Sequence, residues 1–402
     1  MEASNGTEST PTWLDKAFLE RALRSRDEED VEVTSYQVTR ATADGDNYSS
    51  LILRVKVNYV RNGVSEMKSI ILKAEQMIGK LSEATEKANI FPRERTVLSK
   101  IVPKIRNLIN EATSHTVQSF AAECLYSHFG SPGNVLVLED LKEAGFKMAE
   151  RTEGLDKKHC LLVLNTLAKY HAGSVVLHKL DPKLFDEFCV NPFSDEESVE
   201  LMEPMFGKGI KYLAQEMENW PEFDPTFSEK LHKISVFSAK YIIDCRKKQD
   251  GCFNVFRHGD LWLNNMMFKY SEADQVQEVR FVDLPFGDIS DAALDLQYFL
   301  HTSPSIELMS QHLFLLEEYH RTLGETFSLL GYKHLHPSLK QLNQQVDKLG
   351  LYAVIMSCTV LALVLYDRTE EATDLEKVWE NKKAIHYSTK YPKALQTLLP
   401  NI

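Results

Sequence analysis

The chain has 402 residues, long enough for two or three lobes around a sizeable core. Its hydrophobic fraction of 43% and charged fraction of 26% are those of an ordinary soluble globular protein. The formal net charge of -12 argues against nucleic acid or an anionic membrane as the main partner, since both reward clustered Lys and Arg; a nucleotide, whose charge can be met locally, is not excluded.

The first residues, "MEASNGTESTPTWLDK", carry no basic n-region, no apolar h-region and no Arg-rich presequence, so a cytoplasmic location is expected. Six scattered cysteines without a C-x-x-C pair read as free thiols in a reducing compartment. From Thr12, a plausible N-cap, "TWLDKAFLERALRS" sets Trp13, Leu14, Phe18, Ala22 and Leu23 on one helical stripe. Three strand-like runs follow, "VEVTSYQVTRAT", "SSLILRVKVNYV" and "MKSIILKAE", and Asp-Gly and Asn-Gly between them signal antiparallel hairpins. "IFPRERTVLSKIV" reads as a helix that stops at Pro103. "TVQSFAAECLYSH" and "NVLVLED" then complete about five strands by residue 140.

From residue 155 the text turns helical, beginning with the long "LDKKHCLLVLNTLAKYHAGSVVLHK". Two short strand-like runs, "CFNVF" and "EVRFVDL", interrupt it before a mainly helical stretch over 292–396. Residues 349–366, eighteen without a charge, read as a core helix, so no stable membrane insertion is expected. The division expected is 1–35 tail and helix, 36–140 a β-rich lobe, and 141–402 a helical lobe. That is an α+β, two-lobed layout.

"NVFRHGDLWLNNMMFKY" places Asp260 and Asn265 in one loop, with the spacing H-x-D-x-x-x-x-N. Both are poor strand formers, and burying them costs free energy unless a ligand or metal pairs with them. Asp283 ends another apolar run eighteen residues after Asn265. Phosphoryl transfer uses such a set, because the protein mainly supplies positioning and electrostatics. One carboxylate of the set would orient a hydroxyl and accept its proton, while the amide oxygen and a second carboxylate, hard oxygen ligands, suit Mg²⁺. Upstream, Lys73 sits in an apolar strand and Glu94 on the next helix. Alone they suggest a snorkelling lysine and a solvated helix face; together they suit a lysine gripping phosphates and the acid that holds it.

At these residues the chain resembles the protein-kinase-like superfamily of choline kinases and aminoglycoside phosphotransferases, and within it the insect ecdysteroid kinase-like (CHK kinase-like) family. "PTWLDKAFLERAL", "IILKAE", "FPRE", "LVLEDL", "LAKYHAGS", "HGDLWLNNMMFKY", "FVD" and "ALDLQYFL" carry the resemblance from about Thr12 onward. It implies a two-lobed protein-kinase-like fold with a small antiparallel β-rich N-lobe and a large, mainly helical C-lobe. It also implies ATP and Mg²⁺ as cofactors and a small-molecule alcohol as acceptor, such as an ecdysteroid or a hydroxylated xenobiotic. Gly45, Asp46, Asn47, Tyr48 and Ser49 would cover the nucleotide. Lys73 would contact its phosphates and pair with Glu94, and Glu139-Asp140-Leu141 would be the hinge that holds adenine. The resemblance makes Asp260 the base, Asn265 and Asp283 the metal ligands, Asp295 the acid that pins the loop backbone, His258 a brace and His171 a core histidine.

The position after Asp283 usually reads Phe-Gln in this family, but here it is Leu284-Pro285, and a proline there fixes φ locally. That departure sustains a rival reading, a non-catalytic pseudokinase that binds a nucleotide or a steroid-like ligand. A protein kinase is disfavoured, since no A-P-E segment follows Asp283. Trp220, Phe223, Trp262 and Tyr298 could line an apolar pocket, but aromatics at such positions are more often core, and none is assigned to the substrate. No protein partner can be inferred.

Overall fold

The computed structural model describes residues 11–24, 30–41, 50–75, 86–113, 116–131, 133–190, 192–193, 195–221, 223–366 and 389–399. An antiparallel five-stranded sheet in the order β1-β2-β3-β5-β4 forms the N-terminal lobe. Its strands are β1 (Val31–Arg40), β2 (Ser50–Arg61), β3 (Val64–Glu75), β4 (Cys124–His128) and β5 (Val135–Glu139). β1 starts at Val31, inside the stretch expected to hold only the tail and first helix. Asn62 and Gly63, both at positive φ, make the two-residue β2–β3 turn that Asn-Gly signals. The Asp-Gly turn between β1 and β2 lies outside the described residues.

The first helix spans Lys16–Leu23, and its cap is Asp15, whose carboxylate accepts the Phe18 N–H at 2.7 Å. Thr12, the expected cap, stands one turn too early. Leu14, Phe18, Leu19 and Ala22 pack with Ile70, Leu72 and Ala74 of β3 in one apolar cluster. Side chains alternate along a strand, so Lys73, between Leu72 and Ala74, points to the sheet's other face. Each large apolar side chain buried this way contributes about 1.5–3 kcal/mol.

Pro103 does not end the helix that begins at Ile90. A π-helical turn over Val97–Ile101 joins Ile90–Thr96 to Val102–Ala112, and Pro103 falls in the first turn of the latter segment. It follows directly on the turn in which the Val102 N–H bonds the Val97 carbonyl, five residues back.

The C-terminal lobe is mainly helical, built around Lys157–Leu180, Ala292–Thr302, His312–Leu329 and Gly350–Val364. Gly173 lets the first of these approach Val102–Ala112, because a Cβ there would stand 2.5 Å from Ile105. Eleven of the fifteen residues of Gly350–Val364 are buried and none is exposed, as expected of a core helix. Lys157–Leu180 is long and apolar enough to cross a membrane, but most of it is buried inside the fold. Three short strand pairings complete the lobe: β7 (Asn254–Phe256) with β10 (Ile289–Asp291), and β6 (Phe146–Lys147) with the hairpin of β8 (Met266–Tyr270) and β9 (Val276–Phe281). No disulfide joins any of the six cysteines, all of which lie among the described residues.

Candidate active site

β3 holds Lys73 between β2 and β5, opposite Ile52 and Leu136. The helix Ile90–Thr96 turns Glu94 toward it, and both side chains are buried. Lys73 Nζ stands 2.7 Å from Glu94 Oε2 and 2.6 Å from Asp283 Oδ1. The solvated-face reading of Glu94 is therefore overturned: the residue is 1% exposed. Burial opposes the lysine charge, but Asp283 and Glu94 outweigh it and raise the Lys73 pKa. Burial raises the Glu94 pKa, against the pull of Lys73.

Between β7 and β8 the loop containing Asp260 is held from beneath by one acid. Asp295 accepts the His258 N–H at 2.7 Å and the Gly259 N–H at 3.1 Å. Burial alone would raise its pKa, but the His171 hydrogen bond and the Arg257 charge hold it well below the usual carboxylate range. His171 is fully buried, taking the Tyr319 hydroxyl on Nδ1 at 2.8 Å and facing Asp295 with Nε2 at 3.3 Å. It is the satisfied core histidine the sequence suggests. Fully buried Arg257 grips Asp288 through Nε at 2.9 Å and through a terminal nitrogen at 2.8 Å. Gly259 has φ +83, and a Cβ there would lie 2.2 Å from the Phe286 carbonyl oxygen, so the loop needs glycine on both counts. His258 Nδ1 accepts the Asp260 N–H at 3.3 Å, which makes it a brace.

Asp260 itself is shared between two donors. Its Oδ1 accepts the Tyr298 hydroxyl at 2.6 Å and its Oδ2 accepts Asn265 Nδ2 at 2.8 Å. Burial raises its pKa, and the nearby Asp283 adds to that, while the Tyr298 hydrogen bond opposes it. Asn265 also donates to the Asp260 carbonyl at 2.9 Å, so its amide nitrogen faces inward and leaves Oδ1 without a donor among the described residues. The Val282 N–H meets the Asn265 carbonyl at 3.0 Å, which sets Asn265 beside Asp283 at the end of the β8–β9 hairpin. Asp283 has φ +61, a left-handed conformation that Asp tolerates better than most residues. Its Oδ2 has no partner among the described residues.

These two oxygens fit Mg²⁺, which takes few protein ligands and completes its shell with water and phosphate. Among the described residues no group of three His, Cys, Asp or Glu could hold a metal by itself.

The Leu284-Pro285 departure leaves Asp283 in place. Leu284 is buried, and Arg93, one residue before Glu94, reaches across to the segment that follows it. Its guanidinium donates to the carbonyls of Pro285 at 3.4 Å and Gly287 at 2.6 Å, and also to that of Glu187. It lies 4.6 Å over the Phe188 ring. The segment is thus tied to the same helix that carries Glu94.

At the end of β5, Asp140 is an anchor. It takes Arg54 Nε at 2.7 Å and the Ser69 hydroxyl at 2.6 Å, and these hydrogen bonds depress its pKa against the effect of burial. The Glu139 N–H is taken by the Glu123 carbonyl at 2.9 Å, and the Leu141 carbonyl by the Phe146 N–H at 2.9 Å. The Leu141 N–H has no acceptor among the described residues, which suits a base edge. Leu141, Ala122 and Phe146 form a small apolar cluster with Ala144, Met267 and Val282 packed on it.

Of the residues predicted from sequence, Lys73, Glu94, Asp260, Asn265 and Asp283 thus gather in one place. Gly45, Asp46, Asn47, Tyr48 and Ser49 lie outside the described residues. The ecdysteroid kinase-like family model matches residues 44–332. The chain belongs to the ecdysteroid kinase-like family.

No curated protein matches it. Solved structures similar to this family member include the GDP complex of wild-type aminoglycoside 2'-phosphotransferase-IIIa, at 12% identity and a TM-score of 0.38, over 96% of this chain and 98% of that one. The GDP complex of a point mutant of that enzyme matches at 12% identity and a TM-score of 0.36, over 96% and 97%. Similarity at that level fixes no residue role.

Three side chains at the site escape a sequence reading. Arg93 and Arg257 carry no signal of their own, and Tyr298 reads more often as core than as pocket lining. Only Tyr298 had a usable cue, since it follows Asp295 by three residues and shares its helix face.

Proposed function

We propose that this ecdysteroid kinase-like protein is an ATP- and Mg²⁺-dependent kinase. Its acceptor is the hydroxyl of a lipophilic alcohol, such as an ecdysteroid or a hydroxylated xenobiotic in detoxification. One observation carries the reading: Lys73 meets both Glu94 and Asp283 beside the Asp260–Asn265 pair. In this reading Lys73 binds phosphate oxygens while Glu94 keeps it placed and charged. Asn265 Oδ1 and Asp283 would hold Mg²⁺, which supplies neutralisation of the phosphate charge. Asp260 orients the acceptor hydroxyl toward the γ-phosphorus, and such placement supplies much of the rate gain. The acceptor oxygen bonds to that phosphorus as the bond to the β,γ-bridging oxygen breaks, its proton passes to Asp260, and ADP leaves.

The Leu141 N–H and the Ala122, Leu141, Phe146 and Met267 cluster suit adenine between the lobes expected at 36–140 and 141–402. Against the pseudokinase reading, Arg93 anchors the segment after Asp283 and Asp283 stands against Lys73. An ATP-consumption screen over hydroxylated steroids and phenols, with products identified by mass spectrometry, tests the proposal. A phosphate ester of at least one alcohol is expected. Tight Mg-ATP binding with no ester across the panel would instead favour a ligand-binding protein.

A further inference from the structure

The helix Ala292–Thr302 acts on the loop at three consecutive residues. Asp295 accepts the backbone N–H groups of His258 and Gly259, and the Tyr298 hydroxyl donates to the carboxylate of Asp260 at 2.6 Å. Positions three apart on a helix lie on one face, so one rigid surface sets both the loop backbone and the side chain of its acid. Tyr298 is 8% exposed, and burial together with the Asp260 charge keeps its phenol pKa well above the ordinary value. The phenol is the donor in that contact.

With Tyr298 on Oδ1 and Asn265 on Oδ2, rotation of the Asp260 carboxylate about its Cβ–Cγ bond is fixed from both sides. One lone pair on each oxygen is committed, and the remaining ones point in set directions. We propose that Tyr298 is a positioning residue for phosphoryl transfer, its hydroxyl holding the Asp260 carboxylate in the orientation that meets the acceptor hydroxyl. The inference rests on the kinase reading. It adds a residue whose hydroxyl meets Asp260 alone among the described residues.

Tyr298→Phe preserves the buried ring and removes only the hydroxyl. Two measurements on the full chain test the inference, with wild type, Tyr298→Phe, Asp260→Asn and the double variant compared in each. With Mg-ATP and ecdysone as probes, Tyr298→Phe should lower kcat about 10- to 100-fold, the size of a lost hydrogen bond to a charged group. KM for Mg-ATP should stay within about twofold of wild type, and the substitution should add no further loss in the Asp260→Asn background. Urea unfolding of the same four proteins should show coupling between the two positions. Wild-type kcat in Tyr298→Phe, or additive unfolding free energies, would overturn the inference. Wild type inert on ecdysone would count against this acceptor instead, and the unfolding cycle would then decide the Tyr298–Asp260 link by itself.

Discussion

Lys73 and Asp283, 210 residues apart in the chain, meet at 2.6 Å. That contact ties the central strand of the sheet to the end of the β8–β9 hairpin in the helical lobe. With Glu94 it makes a triad of one cation and two carboxylates, Lys73 and Glu94 buried and Asp283 half-buried, in which the lysine carries the compensation. Lys73→Met should leave Glu94 buried without its partner, and removing one member of such a pair costs about 3–5 kcal/mol. The cost should depend on pH. Burial raises the Glu94 pKa and Lys73 lowers it, so removing Lys73 moves it further up. A raised folded pKa favours the protonated fold, so stability is lost as pH rises through it. Thermal unfolding should show the variant falling further below wild type at pH 8 than at pH 5; an equal gap at both would count against the triad.

Asp283→Asn removes one of two candidate Mg²⁺ ligands while keeping shape. Calorimetric titration should show Mg-ATP affinity reduced by about tenfold or more, with affinity for ATP in EDTA much less affected. Equal losses in both would place Asp283 outside the metal site.

Gly259→Ala meets two obstacles at once, a φ of +83 and a Cβ 2.2 Å from the Phe286 carbonyl oxygen. Backbone cannot move aside as a side chain tip can. A loss of roughly 1–3 kcal/mol in urea unfolding is expected, with turnover falling more than stability explains. Wild-type behaviour in both would show that the loop is softer than this geometry allows.

Arg93→Ala strips donors from the Pro285, Gly287 and Glu187 carbonyls and empties the space over Phe188. Buried groups left unsatisfied cost about 1–3 kcal/mol each, so a loss of about 3 kcal/mol is expected. Hydrogen exchange should rise in the 284–288 segment before it rises in β3. Unchanged protection there would mean that Leu284 burial alone fixes the segment.

The first lobe was legible because its signals are local: alternation, the Asn62-Gly63 turn and the apolar stripe of the first helix. The continuation through Pro103 was not, because a π-helical turn leaves no mark in residue type. At the site, order along the chain singles out Lys73, Glu94, Asp260, Asn265 and Asp283; Lys73 and Asp283 are charges in or ending apolar runs, while Glu94 is legible only through its order after Lys73. Arg93 and Arg257 stayed hidden because their partners are mostly backbone carbonyls or acids far along the chain, which sequence does not display. Tyr298 was hidden by its ring, which does pack as core, while its hydroxyl does something else.

The central claim is that Asp260 receives the acceptor proton in an ATP-dependent transfer. The most direct measurement sets Asp260→Asn beside wild type, with Mg-ATP dissociation constants and formation of the phosphate ester followed on the same preparations. Nucleotide affinity should change by no more than about threefold, while ester formation should fall by about 10²-fold or more. Ester formation at the wild-type rate in the variant would contradict the account.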